Sequence, residues 1–411
     1  MTSDIDFHGY FDWAATTPPD TAILQDSLLR TAECFANPSS VHKEGLKAKE
    51  LLSEARTRCA KALGVAADTL IFTSGGTESD HWPVLSLLQR PRSKAQETQG
   101  NIIISAIEHP AIRGMCESMK NLGYDVISVK PEKNGIVDAE KLLEKVNEDT
   151  LLVCLMAVNN ETGAIQPVYQ VADGLIKLCA GKRKPKFHVD AVQAAGKIPL
   201  SLAHPGIDSA AISAHKLRGP RGIGLMYLAK RQETFLRGGE QENGLRAGTE
   251  NVAGALSLAA CLEKYALTPE KLAAKGVVNQ TAYKRYTEQL ETTAQFVKEI
   301  SGLKGCRIIP EVRTGITIEE SAGLFSPWIV QASFDGIPGE VMVRALSEKG
   351  FSISTGSACS AKKLSRPILE AMGIKKDQAS TAVRFSFGAE TTKEDTNALI
   401  QALTEIRALF K

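Results

Sequence analysis

A lysine between an apolar strand and a turn rich in Gly and Pro is the first residue of this sequence that could do chemistry. Lys216 closes the segment 213–216 (Ser-Ala-His-Lys), and the turn 219–222 (Gly-Pro-Arg-Gly) follows it. A lysine amine at the edge of a sheet can form a Schiff base if burial or a nearby cation lowers its pKa. Taken alone, a lysine here is more often a surface residue, so its neighbours must decide its role.

An acidic residue at the end of another apolar run is the first such neighbour. Asp190 closes the run 187–190 (Phe-His-Val-Asp), where a carboxylate costs free energy unless it has a partner. A pyridinium nitrogen is a suitable partner, because the carboxylate keeps that nitrogen protonated and the ring can then act as an electron sink. The alternative is an Asp that caps the next turn.

Three further segments place polar residues where strands are predicted to end. Segment 72–79 runs from a strand into paired glycines and a predicted helix start, an arrangement that can bind phosphate through backbone amides. His109 could stack on a ring or move protons, and Asn160 could hydrogen-bond a ring hydroxyl. Each segment has a structural alternative as well: a tight turn, a polar loop or a turn-forming amide.

Two residues in the last quarter of the chain complete the candidate chemistry. Cys359 lies among small polar residues, and a thiol on such a loop can move between a site and a partner protein and react as the thiolate. Most of the other cysteines lie in apolar stretches and are expected to be buried, reduced thiols. Arg384 has apolar neighbours, which suits a bidentate grip on a substrate carboxylate or, equally, a salt bridge to an acidic residue.

The elements that must position these residues alternate between strands and helices. This alternation predicts a mostly parallel sheet with helices on both faces and a ligand beyond the carboxyl ends of the strands. After about Leu267 the pattern changes, which predicts a large domain over residues 18–267 and a small α+β domain over 1–17 and 268–411 that carries the Cys359 loop. The strands predicted for the large domain are 70–73, 101–105, 124–129, 151–158, 186–190, 209–213 and 223–228.

Composition excludes several classes of function. The formal net charge is +2 over 411 residues, and no basic stripe indicates nucleic-acid binding. The longest strongly apolar run, 151–158, is far shorter than the roughly 18 residues of a membrane helix. The N-terminus shows no apolar signal region, so we expect a cytoplasmic protein without a membrane segment. No cysteines pair as C-x-x-C, and we assign no metal site.

With these residues in place, the chain resembles the NifS-like cysteine desulfurases of the class V aminotransferase family. The resemblance runs from about Phe11 to Leu409 and implies fold type I, the aspartate aminotransferase-like fold of enzymes that depend on pyridoxal 5'-phosphate. The motifs that carry it are, in order, DWAATTP (12–18), NPSSVH (37–42), FTSGGTES (72–79), Glu108-His109, VNNETG (158–163), HVDAVQ (188–193), SAHKLRGPRG (213–222), RAGTEN (246–251), GSACS (356–360) and RFSFG (384–388).

The resemblance implies a set of cofactor-binding residues. Lys216 would hold pyridoxal phosphate covalently, Asp190 would pair with the ring nitrogen, and His109 would stack on the ring. Gln193 would contact the ring hydroxyl. The other cofactor contacts that the resemblance implies are Asn160 beside the cofactor and, at the phosphate, Gly76, Thr77, Ser213 and His215.

The resemblance also implies the substrate, the product and the assembly. Arg384 and Asn37 would hold the carboxylate of L-cysteine, and Cys359 would accept its sulfur as a persulfide and leave L-alanine. Thr249 would reach the phosphate of the other subunit, which implies a homodimer. A sulfur-acceptor protein is implied without an identity, because iron–sulfur cluster assembly, tRNA thiolation and cofactor synthesis all remain open.

Some positions depart from the family pattern and keep other functions open. Trp13 stands where Asn is usual, Glu240 and Asn243 lie where Gly and Arg are usual, and segment 80–83 replaces a helix that usually contains Asn. Pro83 predicts a kink in that helix. The alternative functions are a selenocysteine lyase or other β-lyase on the same fold, and a non-catalytic adaptor on a decayed desulfurase scaffold.

Overall fold

Seven strands form a large sheet in the computed structural model, which describes residues 7–90, 99–268, 280–356 and 365–410. These strands are β1 (Leu70–Thr73), β2 (Asn101–Ser105), β3 (Asp125–Val129), β4 (Thr150–Cys154), β5 (Lys186–Asp190), β6 (Ser209–Ser213) and β7 (Gly224–Leu228). Their order across the sheet is β1-β7-β6-β5-β4-β2-β3. All neighbours are parallel except β7, which runs antiparallel to both β1 and β6. The prediction of a mostly parallel sheet is therefore confirmed.

The strands at the centre of this sheet are buried over their whole length. Every residue of β2, β4, β6 and β7 is buried, which is the pattern of a sheet covered on both faces. The helices of this part of the chain are α1 (Thr21–Glu33), α2 (Lys43–Leu63), α3 (Gly76–Ser86), α4 (Pro110–Lys120), α5 (Ala139–Leu143), α6 (Val168–Leu178), the single turn α7 (Gln241–Gly244) and α8 (Val252–Tyr265).

A second, antiparallel sheet of three strands has the order β10-β9-β8. Its hydrophobic core includes edge-to-face aromatic pairs of Phe296 with Phe385 and with Phe387, each with ring centroids 5.3 Å apart. Its strands and the helices around it are α9 (Gln280–Ser301), β8 (Cys306–Ile309), α10 (Ile318–Leu324), β9 (Ile329–Phe334), α11 (Gly339–Glu348), α12 (Pro367–Ala371), α13 (Lys376–Ser380), β10 (Ala382–Ser386) and α14 (Lys393–Leu409).

The element bounds agree closely with the prediction except at β4, which ends at Cys154 although the apolar run continues to Val158. Beyond Cys154 the amides of Leu155 and Ala157 still donate to the carbonyls of β5, at 3.1 and 2.8 Å. The Met156 amide between them donates to the Glu108 carboxylate at 2.8 Å and not to a strand. The chain thus stays beside β5 as it enters the region where the predicted site residues lie. The domain limits at residues 17/18 and 267/268 stay a prediction.

Two departures from the family pattern are accommodated in this fold. Helix α3 runs without a break through Pro83, which lies near its C-terminal end. Trp13 is 2% exposed and donates from Nε1 to the Tyr10 carbonyl at 2.7 Å. Its indole ring occupies the space that a side chain at Gly388 would need. Among the helices that the structure describes, none combines the length and the hydropathy of a membrane-spanning segment.

Replacing Gly388 with Ala tests how tightly Trp13 is packed. A Cβ atom at Gly388 would lie 2.0 Å from Cδ2 of Trp13, and overpacking of this kind costs about 1–3 kcal/mol. We expect Gly388→Ala to lower the free energy of unfolding by at least about 2 kcal/mol in urea titrations. In the control variant Gly323→Ala, the added methyl group has no neighbour within 4 Å, so its stability should equal or exceed that of the wild type. Equal stability of the two variants would contradict this account.

Candidate functional site

A cavity of about 230 Å³ lies beyond the carboxyl ends of the central strands. β5 ends at Asp190 and β6 ends at Ser213, while His109 and Asn160 follow β2 and β4 along the chain. Parallel strands bring these ends to one edge of the sheet, as the alternation of strands and helices predicts. The predicted residues that line this cavity are Gly76, Thr77, His109, Asn160, Asp190, Gln193, Ser213, His215, Lys216 and Arg384.

Lys216 enters the cavity from the short 3₁₀ turn that follows β6. Its Nζ donates to the carbonyl oxygens of Ala14 and Ala15, each at 2.6 Å. The two carbonyls belong to a segment about 200 positions earlier in the chain. These two hydrogen bonds hold the amine in the cavity, so Lys216 is not an ordinary surface lysine.

Asp190 and His109 are two titratable residues of the same cavity. Asp190 is 5% exposed. Burial raises the pKa of Asp190, while a hydrogen bond from the Val192 amide at 2.9 Å and the charge on Lys216 oppose that rise. Burial lowers the pKa of His109, and its Nδ1 accepts from the Ala111 amide at 3.2 Å. The histidine is thereby held as a neutral ring at the N-terminus of α4.

Two more carboxyl groups are buried behind Asp190. Asp80, on α3, lines the cavity and lies 3.2 Å from Nε2 of His188. Burial, Asp190 and Glu108 raise the pKa of Asp80 well above its ordinary value. Burial raises the pKa of Glu108 to about 8. Close burial beside Asp190 favours the neutral forms of Asp80 and Glu108, so these two groups can hold protons at neutral pH.

The side of the cavity next to α3 suits an anionic group. The N-terminus of α3 at Gly76 adjoins the end of β6, where Ser213 and His215 line the same space. A Cβ atom at Gly76 would lie 2.8 Å from Cγ2 of Val192, so glycine is needed for this close approach. Backbone amides at a helix start attract phosphate. Burial lowers the pKa of His215 to about 3.

Arg384 projects from β10, so the small sheet also contributes to the cavity. Its Nη2 donates to Asp12 at 2.7 Å and its Nη1 donates to the carbonyl of Asn160 at 2.8 Å. The sequence left two roles open for this arginine, a salt bridge and a grip on a substrate carboxylate. The structure is compatible with both, since the arginine is ion-paired and still faces the cavity. Its Nε and the Oδ1 of Asn160 are buried without a partner in the described parts of the chain.

Cys359 lies outside the described residues, but the chain on both sides of its segment is described. The amide of Arg384 donates to the carbonyl of Ser354 at 2.6 Å, so the segment begins beside the cavity. After the segment, Arg366 donates to the carbonyl of Thr355 and lies 3.4 Å from Oε2 of Glu161. Both flanks of the Cys359 segment are therefore tied to the same edge of the site.

Among the predicted site residues that the structure describes, Asn37 and Thr249 are the two that do not line the cavity of Lys216. They share a separate surface pocket of about 360 Å³. Oδ1 of Asn37 accepts from the Ser39 amide at 2.9 Å. Within one chain, then, neither side chain is placed at the Lys216 cavity, and their roles stay a prediction that depends on a second subunit.

Several residues that build the cavity were not predicted from the sequence. Ala14 and Ala15 contribute backbone carbonyls, for which the side-chain type gives no signal. Met156 and Val192 line the wall as apolar contacts. Asp80 had a usable signal, because it stands four positions after Gly76 on a predicted helix and therefore on the same helix face.

The raised pKa of Glu108 predicts that the stability of the protein depends on pH. The pKa of this carboxyl group rises from its ordinary value of 4.5 to about 8 in the folded protein. Between these values the unfolded chain releases a proton that the folded chain keeps, so the free energy of unfolding falls as pH rises, by up to about 1.4 kcal/mol per pH unit. Below this window both states are protonated, and above it both are ionised, so the dependence vanishes.

We expect Glu108→Gln to remove this contribution. Its stability relative to the wild type should therefore improve steadily from about pH 5 to about pH 8 in urea titrations. Glu348→Gln, on the exposed end of α11, is the control and should follow the wild type. A constant difference between Glu108→Gln and the wild type over this range would show that Glu108 is ionised in the folded protein.

Comparison with known proteins agrees with this geometry. Residues 9–399 match the family described as Aminotransferase class-V. A relative named cysteine desulfurase IscS, from Dictyoglomus turgidum, is 33% identical over 97% of this chain and 94% of its own length. A solved structure of a NifS-like protein superposes with a TM-score of 0.81 at 32% identity and covers 98% of this chain and all of its own. Another, titled SspA in complex with cysteine, has a TM-score of 0.74 at 25% identity, over 93% of this chain and all of its own. The chain therefore belongs to the class V aminotransferases, a family of pyridoxal-phosphate enzymes.

Proposed function

We propose that this protein is a cysteine desulfurase that depends on pyridoxal 5'-phosphate. It would convert L-cysteine to L-alanine and keep the sulfur on Cys359 as a persulfide. The observation that carries the proposal is that Lys216, Asp190 and Arg384 share one cavity. The names of the relatives support the choice of cysteine as substrate, because a cysteine desulfurase matches nearly the whole chain and a neighbour of known structure holds cysteine.

The cavity fits the cofactor on three counts. Lys216 offers an amine, Asp190 offers a buried carboxylate for a ring nitrogen, and Oδ1 of Asn160 lacks a partner in the described residues. The cofactor, when bound, supplies an electron sink for the substrate carbon. The residues that would hold it are Lys216 covalently, Asp190 at the ring nitrogen, His109 on the ring face, Gln193 at the ring hydroxyl, Asn160 beside it, and Gly76, Thr77, Ser213 and His215 at the phosphate.

The chain's own residues then orient the substrate and move its protons. Arg384 binds the carboxylate of cysteine with the guanidinium that Asp12 and the Asn160 carbonyl hold in place. Asn37 is proposed to assist it from the partner subunit. Burial lowers the pKa of His109, and because its Nδ1 accepts from the Ala111 amide, the neutral ring carries its proton at Nε2 and can donate it there. Lys216 Nζ is another group in the cavity that can carry a proton.

Cys359 is the proposed sulfur acceptor. Its thiolate attacks the sulfur of cysteine, so that an S–S bond forms while the C–S bond of the substrate breaks. The electron pair of the broken bond stays with the substrate carbon, which takes up a proton and leaves as alanine. The ties from Arg366 to Thr355 and from Arg384 to Ser354 keep the flanks of the Cys359 segment at the cavity. A sulfur-acceptor protein would then receive the persulfide sulfur.

We also propose a homodimer in which Thr249 and Asn37 serve the cavity of the partner subunit. The two residues share a surface pocket away from their own cavity. Phe35, which lines this pocket, is 80% exposed in the single chain, and Val41, four positions after Asn37 along the chain, is 91% exposed. Exposed apolar groups of this size indicate an interaction surface. The described cysteines are free thiols, which supports the expected cytoplasmic location.

A cysteine assay tests the proposed activity. We expect purified wild-type protein to be yellow and to form alanine and sulfide from cysteine with a reductant present. Cys359→Ala should stay yellow but lose more than about 100-fold in sulfide release, because a covalent nucleophile has no substitute. Lys216→Ala should be colourless. Cys179→Ala replaces another free thiol and should keep full activity; unchanged turnover in Cys359→Ala would refute the assigned sulfur acceptor.

The dimer is tested by mass and by cofactor affinity. We expect light scattering to give twice the chain mass of 44.2 kDa. Thr249→Val should remain dimeric but bind pyridoxal phosphate roughly tenfold more weakly, as expected for one lost hydrogen bond to a charged group. Thr57→Val, on the exposed face of α2, is the matched control and should bind normally. A monomeric mass, or normal binding by Thr249→Val, would contradict the shared site.

A further inference from the structure

A second lysine beside the cavity has no role in the proposed chemistry. Lys197 lies on the segment that follows β5, and it lines a pocket together with Lys216 and Trp13. Its Nζ donates to Oε1 of Gln193 at 2.6 Å. The salt bridges of the described residues include none to Lys197. Among the described residues, the Gln193 amide is therefore the side-chain group to which this amine is hydrogen-bonded.

The other end of the Gln193 amide is held as well. Its Nε2 donates to the carbonyl of Ala14 at 2.9 Å, the same carbonyl that accepts from Lys216 at 2.6 Å. A flipped amide would point Oε1 at the Ala14 carbonyl and Nε2 at the Lys197 amine. Both contacts would then join like groups, acceptor to acceptor and donor to donor. The two contacts together allow one orientation of the amide.

The positive charges near Lys197 do not remove its hydrogen bond to Gln193. Burial and the neighbouring Lys216 and Arg384 cations lower the pKa of Lys197 well below its usual range. A neutral amine still carries N–H groups and still donates. The contact to Gln193 can therefore persist whether or not Lys197 is charged, and the Ala14 carbonyl, which only accepts, favours the same orientation of the amide in both states.

We propose that Lys197 is a positioning residue of the cofactor site: its Nζ holds Oε1 of Gln193, so that Nε2 is the atom presented to the ring hydroxyl of pyridoxal phosphate. The inference rests on the proposed function, in which Gln193 contacts that hydroxyl. An N–H that donates to the ring oxygen withdraws negative charge from the ring. Less negative charge beside the nitrogen that joins Lys216 to the cofactor lowers the pKa of that nitrogen.

The test is a pH titration of the visible absorbance of the purified holoprotein, without substrate. We expect Lys197→Met to raise the absorbance pKa by about one unit, a tenfold change in the proton equilibrium, and to release pyridoxal phosphate several-fold faster. Lys197→Arg keeps an N–H donor and should restore the wild-type value. Lys184→Met is the matched control, because Lys184 is another half-buried lysine, bonded to Asp208 at the opposite end of β5; it should leave the titration unchanged.

Variants of Gln193 distinguish a positioning role of Lys197 from a general loss of stability. Gln193→Met should shift the absorbance pKa in the same direction, and the double variant with Lys197→Met should add nothing further. If Lys197→Met does not fold, Lys197→Leu, which also lacks a donor, is titrated instead and should show the same rise. A wild-type pKa in a folded Lys197→Met or Lys197→Leu variant, or additive shifts in the double variant, would overturn the proposal. A colourless wild type that takes up no pyridoxal phosphate would overturn the proposed function and this role together.

Discussion

Burial of opposite charges at one edge of the large sheet is the constraint on which this site depends. Asp190 is 5% exposed, and the cost of burying its carboxylate is offset by the nearby charge of Lys216 and by the hydrogen bond from the Val192 amide. A buried charge of this kind is tolerated only when partners of opposite sign lie close by. The fold supplies these partners by ending its parallel strands together, with β7 turned antiparallel beside β6.

Structural and chemical roles coincide at most of the site residues. His109 caps α4, Asp190 accepts from the turn that follows it, and Arg384 is ion-paired with Asp12. The structural alternatives that the sequence leaves open for these residues therefore do not exclude their proposed chemistry. Each contact fixes a side chain in the orientation in which it faces the cavity, which lowers the entropy lost when a ligand binds.

The unusual residues of this chain affect packing more than the cavity. Trp13 fills a space next to Gly388 and leaves the neighbouring Ala14 and Ala15 carbonyls free to accept from Lys216. Asn243 has a φ of 58°, a left-handed conformation that asparagine tolerates better than most side chains. The ten predicted residues line one cavity, and this argues against the alternative of a non-catalytic adaptor on a decayed scaffold.

The sequence by itself determined the alternation of strands and helices, the mostly parallel sheet and the identity of most cavity residues, because these follow from local periodicity and from ordered motifs. Only the tertiary structure decided that β7 lies antiparallel between β1 and β6, that the Met156 amide beyond β4 donates to Glu108, and that Asn37 and Thr249 sit away from Lys216. It also decided that Lys216 and Gln193 share the Ala14 carbonyl. These features join residues far apart in the chain, and such contacts depend on how whole elements pack, which no local pattern of side chains encodes.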